Sequence, residues 1–141
     1  MKSKERLLEL RKKGFRITKV REAFFAIFED VKKPLSVQEV MEALKKEKIA
    51  ANKTTIYREI DFFVKQGLLR SVALNDDRTY YEWVSVHHHH LVCVMCKTVE
   101  DVDVEAVEGL LNTLQTMIKH SSRFSQLEHS LEFFGTCKKC T

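Results

Sequence analysis

Residues 52–83 read NKTTIYREIDFFVKQGLLRSVALNDDRTYYEW, and within them the spacing of apolar side chains changes. Ile56, Ile60, Phe63 and Val64 recur at helical intervals behind Asn52, and all four are expected to face inward until Gly67 stops the run. Beyond it, residues 68–74 and 78–83 read as two strands around the turn Asn75-Asp76-Asp77. Working towards the N-terminus, Pro34 precedes Ser36-Val37-Gln38-Glu39, a capping box that opens a helix with Val37, Val40, Met41 and Leu44 on one stripe. Before it, Thr18 offers an N-cap to a helix carrying Val20, Phe24, Ile27 and Phe28. Residues 3–13 read as a first helix, with Leu7, Leu8 and Leu10 apolar and Gly14 as its cap. Helices followed by a hairpin are the order of a winged helix-turn-helix, with residues 52–66 as the recognition helix. Its outer face carries Asn52, Lys53, Thr54, Thr55, Tyr57 and Arg58, groups able to reach phosphates and base edges in a major groove.

Charge follows the same division. Residues 1–84 hold 19 Lys and Arg against 13 Asp and Glu, net +6, while residues 85–141 hold 5 against 7, net −2. All six histidines and all four cysteines fall in the second part. A basic first module (1–84) suits a polyanion, and a ligand-rich second module (85–141) suits a metal. In 141 residues, 44% hydrophobic and 31% charged, no apolar run approaches the about 20 residues of a membrane span. The charged N-terminus is unlike an export signal. The expectation is a cytoplasmic chain without a membrane partner.

Residues 86–96, VHHHHLVCVMC, carry the chemistry. In an extended segment side chains alternate, so His88 and His90 point one way and His87 and His89 the other, offering ligand pairs to two separate sites. The strand runs into Cys93-x-x-Cys96, and the chain ends on Cys137-x-x-Cys140. Two such knuckles in a reducing compartment read as a four-thiolate structural zinc site with no open position for catalysis. Between them the sequence predicts a strand at 98–104, a helix at 105–120 with Val107, Leu110, Leu111, Leu114 and Ile118 apolar, and a strand at 127–134. No separate nucleophile is evident, so the chain is not read as an enzyme and no small-molecule substrate is expected.

The whole chain resembles the ferric uptake regulator (Fur) family of metal-dependent transcriptional repressors. The motifs are Gly14-Phe15-Arg16-Ile17-Thr18 with Arg21, Thr54-Thr55-Ile56-Tyr57-Arg58, Tyr81-Glu82, His87–His90 with Leu91, Val92 and the first cysteine pair, His129-Ser130-Leu131, and Gly135 before the second pair. The resemblance implies an α+β protein with an N-terminal winged helix-turn-helix domain and a small α/β dimerisation domain with a four-cysteine zinc site. It implies a homodimer on a palindromic, double-stranded operator. Arg16 is implied to enter the minor groove and Tyr57 and Arg58 the major groove, with Arg21 counted among the DNA-binding residues. Cys93, Cys96, Cys137 and Cys140 are implied as ligands of structural Zn2+. The regulatory divalent metal (Fe2+, Mn2+ or Zn2+) maps to Glu82, His88, His90 and Asp101. An additional metal site maps to His87, His89, Glu108 and His129. Three positions depart from or divide the family pattern. Pro34 stands where the sensory site commonly takes another histidine, His89 stands where relatives often have Asp, and Asp101 matches the peroxide-sensing branch where others have Glu. Pro34 makes a second reading plausible, a constitutive, zinc-stabilised DNA-binding dimer without metal sensing.

Overall fold

The computed structural model of the chain describes residues 3–31, 33–84, 88–102 and 105–141. These divide into two compact units, Met1–Ser85 and Val86–Thr141. In the first, α1 (Ser3–Lys12), α2 (Lys19–Asp30), α3 (Val37–Lys46) and α4 (Lys53–Lys65) pack with β1 (Leu35–Ser36), β2 (Leu69–Ala73) and β3 (Thr79–Trp83). Local chemistry sets the helix starts. Thr18 accepts from the Arg21 amide, and Ser36 and Glu39 form the reciprocal capping box. Gly14 and Gly67 follow α1 and α4 with φ of +86° and +66°, the left-handed geometry that ends a helix without a Cβ clash.

Aromatic rings dominate the core of this unit. Phe24 stacks on Phe63 at 5.8 Å between centroids, and Phe25 meets Phe63 and Trp83 edge-on at 5.1 and 5.0 Å. Val40, Leu44, Ile56 and Ile60 are buried with them, as are Leu10, Phe28, Leu35 and Leu69. Arg6 lies over Trp83, its guanidinium carbon 4.7 Å from the ring centroid, and bonds the Val84 carbonyl, tying α1 to the end of the hairpin. The sheet order is β1-β3-β2. The two-residue β1, unforeseen from the sequence, pairs Leu35 with Tyr81 and Ser36 with Tyr80. One inward assignment fails: Val64 is exposed, because Ile56, Ile60 and Phe63 already fill the face of α4 that meets the core.

The second unit is a three-stranded sheet of order β5-β4-β6 with one helix, formed by β4 (His89–Cys93), β5 (Val99–Val102), α5 (Glu105–Ser121) and β6 (Glu132–Gly135). β4 is antiparallel to β5 and parallel to β6. The last strand is shorter than the expected 127–134, and residues 127–131 lie outside it. Among the described residues of this unit only Val92, Cys93, His89 and His90 are buried. Leu110, Leu114 and Ile118, expected as an apolar stripe, are exposed on α5 together with Met117.

Candidate metal centres and nucleic-acid interface

The parallel pairing of β4 with β6 sets Cys93 opposite Gly135, which brings the C-terminal knuckle beside the first. The Sγ atoms of Cys93, Cys96, Cys137 and Cys140 all lie within 4.8 Å of one another, with Cys96 and Cys137 at 3.8 Å. Four sulfurs tetrahedrally placed at a Zn–S distance of about 2.3 Å stand about 3.8 Å apart, so the thiols are grouped as a zinc ion requires. All four are free cysteines. The Cys137 amide donates to Cys93 Sγ at 3.3 Å, and this bond, joined by the Cys96 amide, lowers the Cys93 pKa to about 6. Hydrogen bonding with the Cys137 and Cys96 sulfurs, and the charge on Cys137, push Cys140 up to about 12. Four thiols this close cannot all ionise without a cation among them, and that is what a zinc ion supplies.

A second cluster lies within the same unit. His89, buried to 1% exposure, places Nε2 2.6 Å from Glu108 Oε1, and His129 Nε2 is 3.4 Å from the same oxygen. Metal-bound nitrogen and oxygen ligands stand about 3.3 Å apart in a tetrahedral site. The His129–Glu108 separation matches this, and His89 and Glu108 stand at hydrogen-bond distance. All three ligand atoms lie within 4.8 Å of one another, so the group could hold a divalent ion. His87, the fourth residue mapped to this site, lies outside the described residues. Gln115, not singled out from the sequence, joins the cluster through Nε2, 2.9 Å from His129 Nδ1. It sits seven residues after Glu108 on α5, and that two-turn spacing was the available signal.

The remaining histidine pair occupies the other side of the strand. The His88 and His90 rings meet edge-on at 4.8 Å, and Asp101 pairs opposite His90 across β4 and β5 with Oδ1 4.0 Å from its Nε2. Strand alternation thus divides His88 and His90 from His89 as the period of two requires. Glu82, on β3 in the first unit, is buried and accepts from Arg70 Nε at 2.6 Å. Pro34 is fully buried and offers no ligand atom.

On α4 Lys53, Thr54, Tyr57 and Arg58 are exposed while Ile56 and Ile60 are buried. Arg16 is exposed ahead of α2. Lys53, Tyr57 and Tyr81 line a cleft of about 330 Å³ with Arg78 from the hairpin, a cation that no motif marks in the sequence. Two of the expected DNA-binding residues have another task. Asn52 caps α4, its Oδ1 accepting from the Thr55 amide at 2.8 Å and the Thr55 hydroxyl at 2.9 Å. Arg21 is turned inward, with Nε and one Nη bonded to the two Glu59 oxygens at 2.9 and 3.0 Å and the other Nη donating to the Arg16 carbonyl at 2.7 Å. Its guanidinium also covers the Phe62 ring at 3.7 Å. No part of the sequence around Glu59 signals this pairing.

A winged helix-turn-helix joined to a unit carrying cysteine and histidine clusters defines a metal-binding transcription regulator. The pattern of the ferric uptake regulator family matches residues 12–134, and the chain belongs to that family of metal-responsive repressors. It is 24% identical over 136 residues to the peroxide-responsive repressor PerR of Staphylococcus aureus, covering 96% of this chain and 89% of that one. The ferric uptake regulator of Francisella tularensis, solved with iron, is 26% identical with a TM-score of 0.75, covering 90% of this chain and 95% of that one. The Helicobacter pylori regulator Fur, whose structure is described as revealing three functional metal-binding sites, shares the fold with a TM-score of 0.79 at 21% identity, over 98% of this chain and 91% of that one. These relatives regulate transcription and are not enzymes. No helix among the described residues is long and apolar enough to cross a membrane.

Proposed function

We propose that this chain represses transcription by binding a palindromic, double-stranded operator as a homodimer, with zinc on its four thiolates and a regulatory divalent ion controlling DNA affinity. The observation that carries this reading is the pairing, in one chain, of an exposed polar recognition face with grouped thiolate and imidazole donors. Lys53, Thr54, Thr55, Tyr57 and Arg58 are assigned to the major groove and Arg16 to the minor groove, with Arg21 bracing Arg16 through its carbonyl. The exposed stripe of Leu110, Leu114, Met117 and Ile118 on α5 supports a second copy as its cover, since contiguous apolar surface marks an interaction site more often than single exposed residues do.

The regulatory ion is assigned to His88, His90 and Asp101 with Glu82, as the family resemblance implies, and Fe2+, Mn2+ and Zn2+ all suit this mixed donor set. A ligand set drawn from both units favours one arrangement of the recognition helices, and the ion's differential affinity for that arrangement shifts the population towards DNA binding. His87, His89, Glu108 and His129 are assigned to the additional ion. Changing His88 and His90 to Ala tests the regulatory assignment. Loss of repression with the fold and thiolate zinc retained supports it, and unchanged repression contradicts it.

A second reading has one observation in its favour. The buried Pro34 supplies no imidazole from the loop before α3, so the tie between metal and DNA-binding unit rests on Glu82 alone. On that reading the chain is a constitutive, zinc-stabilised DNA-binding dimer, and the same double substitution leaves repression intact.

A further inference from the structure

We propose that Gln115 is the positioning residue of the His89, Glu108 and His129 centre, turning its side-chain amide over when a divalent ion binds so that His129 keeps a hydrogen-bond partner. The inference rests on the metal reading of that centre given above. Gln115 Nε2 is 3.3 Å from the Leu127 carbonyl oxygen and 2.9 Å from His129 Nδ1. A carbonyl only accepts, so Leu127 identifies this end of the amide as the NH2 group. Its second hydrogen is then donated to His129 Nδ1, which must accept and so carries no proton. In the neutral ring the proton is therefore on Nε2, the nitrogen that faces Glu108.

The amide closes the Nδ1 side of the ring, leaving Nε2 as the ligand atom. With Nε2 given over to a divalent ion, the His129 ring would lose its Nε2 proton to solvent and take one up at Nδ1, staying neutral. The new Nδ1–H then points at the Gln115 NH2, donor against donor. Rotating the amide half a turn offers Oε1 to Nδ1–H and gives up the bond to Leu127. Metal-ligating histidines ordinarily donate their other ring N–H to such an acceptor, and partners of this kind commonly change metal affinity by about 10- to 100-fold. Glutamate at this position accepts without turning, and methionine cannot accept comparably at all.

The test uses the full chain with its thiolate zinc in place, titrated with zinc against a chromophoric chelator, with imidazole 15N spectra of His129 recorded alongside. Gln115→Glu is expected to bind about tenfold tighter than the parent chain and Gln115→Met about tenfold weaker. His129 is expected to pass from the Nε2–H to the Nδ1–H tautomer as zinc enters the parent chain, and to be Nδ1–H beforehand in Gln115→Glu. Affinities within twofold of the parent for both variants, or an Nδ1–H ring in the zinc-poor parent, overturn the proposal. His129→Ala separates the two layers. If it removes a zinc equivalent while the Gln115 variants match the parent, only the role of Gln115 falls; if it removes none, the metal reading of the centre falls with it.

Discussion

The two units are stabilised by different means. Met1–Ser85 encloses a packed interior of Phe24, Phe25, Phe28, Phe63, Ile56 and Leu44, whereas Val86–Thr141 buries, among its described residues, little beyond Val92, Cys93 and two histidines. Fewer than 60 residues give a single sheet and helix little apolar area to enclose, and small units of this kind usually need a metal, a disulfide or a partner copy. Free thiols grouped as zinc ligands answer that need in one way, and the second copy proposed above for the exposed α5 stripe would answer it in another. The lesson is a division of labour: hydrophobic burial holds the first unit, and the second is built to be held by coordination at its grouped thiols.

The largest expected effect breaks this comparison at its metal end. Structural zinc binding is worth on the order of 10 kcal/mol, comparable to the whole stability of an ordinary domain. Cys96→Ser should therefore abolish amide-exchange protection in β4, β5, α5 and β6 and leave α2 to α4 protected. Simultaneous loss in both units means that the division is wrong. Next comes the opposite end. Phe63→Ala removes the ring shared by Phe24, Phe25 and Trp83 and should cost about 3–5 kcal/mol in the first unit by denaturant titration. Zinc content per chain should be unchanged.

Smaller effects sharpen the picture of the first unit. Ser36→Ala removes one half of the capping box and should lower stability by about 1 kcal/mol, read from the shift in the denaturation midpoint. Tyr80 donates to Asp76 Oδ2 at 2.6 Å, and this bond, followed by burial, raises its pKa to about 12. A raised folded-state value means the neutral phenol is the stabilised form. The contribution is therefore complete below pH 10, the unfolded value, and disappears as pH rises towards 12. Ultraviolet titration should find one tyrosine ionising near pH 12, and Tyr80→Phe should remove that late step; an unchanged alkaline titration contradicts the assignment.

What was legible in the sequence depended on whether a signal was local. The capping box at Ser36 and Glu39, the hairpin around Asn75, the alternation of the histidines and the grouping of the two cysteine knuckles all follow from spacing along the chain. What was missed depended on contacts between distant residues. Arg21 reads as a free cation until Glu59, on another helix, takes its donors. Asn52 reads as a base-contacting amide although the Thr55 amide claims it locally, a cap that the helix start itself could have suggested. The exposed α5 stripe has a periodicity indistinguishable from that of a helix buried in its own chain, because the pattern records that a face is covered and not by what.

A DNA-shift titration tests the central claim most directly. The full chain, stripped of labile metal but retaining its thiolate zinc, is offered duplexes selected from an AT-rich pool and titrated with Mn2+, Fe2+ or Zn2+. Metal control predicts at least a tenfold gain in affinity with one of these ions, equivalent to about 1.4 kcal/mol, lost again on chelation. Affinity that stays within a few-fold across all three ions contradicts it.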